Sequence, residues 1–129
     1  MRRLAAAIGI VLLLLVGGAL GYDGYRKSSP ALLARAKAHA MMPSCPGAQA
    51  RWLHEREGGV DVIQWAEIRA DNARMTAWAA ALGRANSGFD CDTQQGHLSC
   101  SNIAHHRAPP AWGAAVDFLP DRAQLTLWS

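Results

Sequence analysis

The sequence predicts an α+β fold: an N-terminal transmembrane helix or signal segment, two short helices, and one long amphipathic helix packed on a small antiparallel sheet of about four strands. Three observations carry this expectation. An uncharged apolar run fills residues 4–20. Apolar residues then recur at helical spacing through residues 62–85, and beyond Gly88 the spacing falls to two. The chain accordingly divides into an anchor or signal segment (1–28), a short helical connector (29–59) and an exported α+β domain (60–129).

The first segment, LAAAIGIVLLLLVGGAL, is apolar on every helical face, which a buried helix of a soluble core seldom is. Extended through Tyr22 it would be about 28 Å long, close to the hydrocarbon thickness of a bilayer. Arg2 and Arg3 precede it, and Tyr22, Tyr25, Arg26 and Lys27 follow as an interfacial aromatic and cationic belt. These features favour an uncleaved anchor, with membrane contact through residues 4–22. The alternative is a signal peptide cleaved near Gly21, where Ala19 and Gly21 supply small residues. Either way, the rest of the chain is expected to be exported. The expected address is a bacterial inner membrane, single-pass, with the N-terminus cytoplasmic and the C-terminal domain periplasmic; cleavage would give a periplasmic or secreted protein.

The first short helix is expected from Pro30 to Met42, with Ser29 as N-cap and Pro43 as stop. Leu32, Leu33, Ala36 and Ala40 form its apolar side, Arg35, Lys37 and His39 face water, and it reads as a stalk near the membrane. The second is expected from about Gly47 to Glu57, between Cys45-Pro46 and Gly58-Gly59. For the long helix, Asp61 and Gln64 resemble a capping box, and Val60 with Trp65 a hydrophobic staple. Trp65, Ile68, Met75, Trp78, Ala79 and Leu82 then form its stripe across Val62 to Ala85, with Asn72 interrupting one slot.

Two hairpins follow. Gln95-Gly96 as a two-residue turn places Gln94 opposite His97, Thr93 opposite Leu98 and Cys91 opposite Cys100. The cysteines then fall at a non-hydrogen-bonded pair, at a separation that suits a disulfide, and an oxidising compartment would preserve it. Cys45 is left over, and its pairing stays open. In the second hairpin, Ala114, Val116 and Phe118 alternate with Ala115, Asp117 and Leu119; Pro120-Asp121 turns; and Ala123, Leu125 and Leu127 alternate with Gln124, Thr126 and Trp128.

Charge narrows the function. Residues 1–40 hold six basic side chains against one acid, a formal balance of +5, whereas residues 41–129 hold seven arginines against nine acids, a balance of −2. The basic pI of about 9.1 thus belongs to the front of the chain, and a nucleic-acid partner is not expected. His105-His106 with His97 lack zinc-ligand spacing, and Asp90-x-Asp92 lacks an EF-hand context. Serines and histidines occur without a nucleophile motif, and no C-x-x-C or phosphate loop is present. We therefore expect no enzyme, cofactor or metal site. Trp65 and Trp78 are assigned to the inner stripe, while Trp112, in the APPAW loop, and Trp128, on an outward register, are the candidate partner contacts. The expected role is that of a small bitopic membrane protein making protein–protein contacts in a cell-envelope assembly. By layout alone this resembles secretion, pilus or conjugation components. A cleaved binding module or inhibitor is the alternative, and an envelope enzyme the third.

Overall fold

The computed structural model describes residues 1–43, 46–58, 61–102 and 113–128. Helix α1 (Arg2–Arg26) is followed closely by α2 (Ser29–Ala40), and strands β1 (Gln49–Gly58) and β2 (Asp61–Arg69) come next. Helix α3 (Asn72–Leu82) then leads to β3 (Asp90–Gln94), β4 (His97–Ser101), β5 (Gly113–Phe118) and β6 (Ala123–Trp128). All strands join one antiparallel sheet in the order β1-β2-β6-β5-β4-β3. The α+β class is as expected, but the sheet has six strands rather than four.

The two extra strands come from segments expected to be helical. Residues 49–58 form β1 and not a second short helix. A bulge between Trp52 and His54 breaks the alternation, so period two is hidden in the sequence. Residues 61–69 form β2 and not the first half of a long helix. Val62, Ile63, Trp65 and Ile68 are strand-favouring types with apolar residues on both faces, and the Trp65/Ile68 spacing imitates a helical stripe. Helix α3 is capped by Asp71, whose Oδ1 accepts the Arg74 backbone N–H at 2.9 Å, so Asp61 and Gln64 are strand residues and no capping box. Residues 29–59, expected as a helical connector, thus hold one helix and an edge strand of the main sheet.

Both α2 and α3 lie on one face. Residues paired across the ladders share a side, which puts Ala50, Ala66, Ile68, Ala123, Leu125, Leu127, Ala114, Val116, Phe118, Leu98 and Cys100 together. Ala36 and Ala40 of α2 and Trp78 and Leu82 of α3 close over that side in one buried cluster. The Trp78 ring meets Phe118 edge-on at 5.2 Å between centroids, and its Nε1 donates to the Ala40 carbonyl at 3.3 Å. Asn102 joins the same junction by accepting from Ala114 N at 2.6 Å and donating to the His39 carbonyl at 3.4 Å. Helix α2 is therefore a core element and not a detached stalk. Among the described residues no helix covers the opposite face.

Candidate functional site

Helix α1 has an 18-residue window of mean hydropathy 2.5, none of it buried against the rest of the chain. Leu4, Ile8, Leu12, Leu13, Leu14, Leu15 and Leu20 are all exposed. Such a helix is long and apolar enough to cross a membrane, and equally suits a signal segment. Its last turn is tied to the domain. Arg26 grips Glu55 of β1 with two nitrogens, at 2.6 and 2.9 Å, while Lys27 Nζ sits 4.4 Å from the centroid of the Trp52 ring. Arg35 of α2 donates to the Arg26 carbonyl and to Gln64 Oε1, and Gln64 donates to Glu55 at 3.4 Å. The bond from Arg26 holds the Glu55 carboxyl below its ordinary value, and burial lowers Arg35. The Trp52 Nε1 atom is buried with no hydrogen-bond partner among the described residues.

The cysteine pair is where the turn arithmetic puts it. Cys91 and Cys100 are direct partners at a Cα separation of 4.1 Å and form a disulfide. Gln95 and Gly96 both have positive φ, 50° and 82°, as a type I′ hairpin turn demands. Cys45, Trp112, His105 and His106 lie outside the described residues. Among the described residues no three His, Cys, Asp or Glu side chains are grouped to hold a metal ion.

Trp128 lies on β6, a central strand between β2 and β5. It is paired with Ile63 and Gly113, half-buried, and its ring lies across Gly113, where a Cβ would stand 3.4 Å from Cε3. Trp65 shares this helix-free face; it is not on an inner helical stripe. Its ring stacks on His54 at 4.2 Å. Trp78 alone of the two is a core residue of a helix.

Further along the same face, Glu67 collects three arginines. Its carboxylate receives Arg69 Nε at 2.7 Å and Arg51 Nη2 at 3.1 Å, with Arg122 Nε at 3.8 Å. These bonds, Arg69 first, hold Glu67 below its ordinary pKa, so it stays charged. A shallow cleft of about 300 Å³ opens between Gln49, Arg51 and Arg69. Neither this cluster nor the Arg26–Glu55 contact is visible in the sequence, because both depend on the pairing of residues 49–58 with 61–69. No family model, curated protein or solved structure matches this chain.

Proposed function

We propose that this is a single-pass membrane protein whose exported domain makes protein–protein contacts in a bacterial envelope assembly, through the helix-free face of its sheet. On this reading α1 stays in the inner membrane with its N-terminus cytoplasmic, and the domain stands in the periplasm beside other envelope proteins. The observation that carries it is the one-sided cover of the sheet: α2 and α3 close one face, while Ile63, Trp65, Thr126 and Trp128 stand half-buried on the other. Tryptophan and arginine are the residue types that dominate binding hot spots, and this face carries both. The Cys91–Cys100 disulfide supports an oxidising compartment, and the fully exposed apolar helix supports lipid as its surroundings.

The test is site-specific photo-cross-linking in cells, with the reactive group at Trp65 or Lys37. Discrete adducts from Trp65, with none from Lys37 on α2, are expected. No adduct from the open face would overturn the reading. A mature protein whose intact mass begins at Tyr22 would replace the anchored form with a released one.

A further inference from the structure

The helix-free face is complementary to itself, and we propose that it pairs with the same face of a second copy of this chain. The proposal rests on that face being a partner surface and names the partner. The six strands have their centre between β6 and β5. A two-fold axis through that centre, parallel to the strands, sets β1 against β3, β2 against β4 and β6 against β5 of the second copy.

The register decides whether this is tolerable. One row across the sheet runs Arg51, Glu67, Gln124, Asp117, Ser99, Asp92. Folded onto itself, it opposes Arg51 to Asp92, Glu67 to Ser99 and Gln124 to Asp117 of the other copy. Each contact is an ion pair or a donor facing an acceptor, with no like charges opposed. The next row on this face, built on Trp65, Thr126, Ala115 and Ser101, opposes Trp65 to Ser101 and Thr126 to Ala115. Beyond it, Trp128 faces Gly113 of the other copy, which is already covered by that copy's own Trp128 ring, so the two indoles meet about the axis. Arg51 is largely exposed and reaches Glu67 through Nη2, which leaves its outer nitrogens for a second carboxylate. On this face the arginines of β1, Arg51 and Arg56, and the aspartates of β3, Asp90 and Asp92, thus sit at opposite ends, with the apolar residues between them.

Area sets the conditions. Six strands and about five residues along each give roughly 500 Å² per copy and roughly 1,000 Å² in all, at the lower edge of a specific interface. Two copies anchored in one membrane are held at high local concentration, which suits an interface of that size. The axis runs along the strands, so the Arg26–Glu55 contacts that tie each α1 to its domain lie at the same end of the pair.

The experiment measures the oligomeric state of the full chain in zwitterionic nanodiscs and micelles. The variants are Arg51→Asp, Asp92→Arg and their equimolar mixture. The wild type is expected to dimerise, and each single variant to weaken the dimer about tenfold or more. The mixture should recover a heterodimer, because one of its two Arg51–Asp92 contacts is re-formed with reversed sign and the other is native. Recovery also shows that both variants fold. A monomeric wild type, a dimer indifferent to both substitutions, or a mixture without recovery would overturn the proposal. Adducts from Trp65 to a different envelope protein, with a monomeric wild type, would end the self-pairing and leave the broader function standing.

Discussion

Single residues govern two of the tightest features. The β3–β4 turn requires two consecutive positive φ values, which glycine adopts freely and glutamine does not. Gly96→Ala should therefore cost about 1 kcal/mol, while Gln95→Asn should stabilise by a few tenths, since Asn tolerates that region better. Urea unfolding of the micelle-bound full chain, followed by tryptophan fluorescence, checks both. Removing the staple with Cys91→Ala and Cys100→Ala should cost about 2–3 kcal/mol for so short a loop. The loss should be matched by reducing agent acting on the wild type. Trp78 fills the space between α2, α3 and the sheet with 1% of its surface exposed, so Trp78→Ala should cost about 3–5 kcal/mol. Trp78→Phe keeps part of that packing but leaves the Ala40 carbonyl without its donor, and should fall between.

At the level of elements, the sequence is readable where periodicity is unmixed. Residues 90–101 and 113–128 alternate cleanly, and their strands, turn and disulfide register follow from spacing alone. Helix α2 is readable in its extent and in the apolar Leu32, Ala36 and Ala40, but its N-cap is Ser28. Ser29 instead accepts from the Ala50 backbone N–H at 3.0 Å, and Arg35, expected to face water, is bonded to Arg26 and Gln64. Residues 49–69 mislead because the bulge at Leu53 shifts β1 by one position, and β2 carries Ile63 and Trp65 on one side with Ile68 on the other. Pairing of β1 with β2, and of β2 with the distant β6, decides their structure against local helix signals. For the candidate face, Trp128 was legible from its outward register, whereas Trp65 and the arginines around Glu67 needed the strand partners. The true start of α3 is testable: Asp71→Ala should cost about 1 kcal/mol through the lost cap, and Asp61→Ala should show no such cap effect.

For the molecule as a whole, the contact between α1 and the sheet should respond to acid. Glu55 in the folded protein titrates below its ordinary value near 4.5, because its carboxylate accepts from Arg26. Its contribution is full above that ordinary value and is lost as pH falls through the folded one. Arg26 and Gln64 donate to it, and Lys27 and Arg35 stand nearby. Acidification below about pH 4.5 should then loosen α1 from β1, read as a broadened spin-label distance between Tyr25 and Arg56. Glu55→Gln should show the loosened distance at neutral pH and no further acid response at this contact. Glu67 shifts in the same direction, so the domain itself loses stability in the same window, and the Glu55→Gln comparison separates the two.

The position of β6 has a temporal consequence. It follows every other strand along the chain, yet it is the element that joins the β1–β2 hairpin to the β3–β4–β5 meander. A chain threaded outward from its N-terminus delivers the two halves first and their shared seam last. Until residues 123–128 emerge, β2 and β5 each show a bare edge to the surroundings. On the proposed exported topology, translocation stalled short of this point should leave a species that periplasmic holdases and proteases recognise, while a stall just beyond it should not.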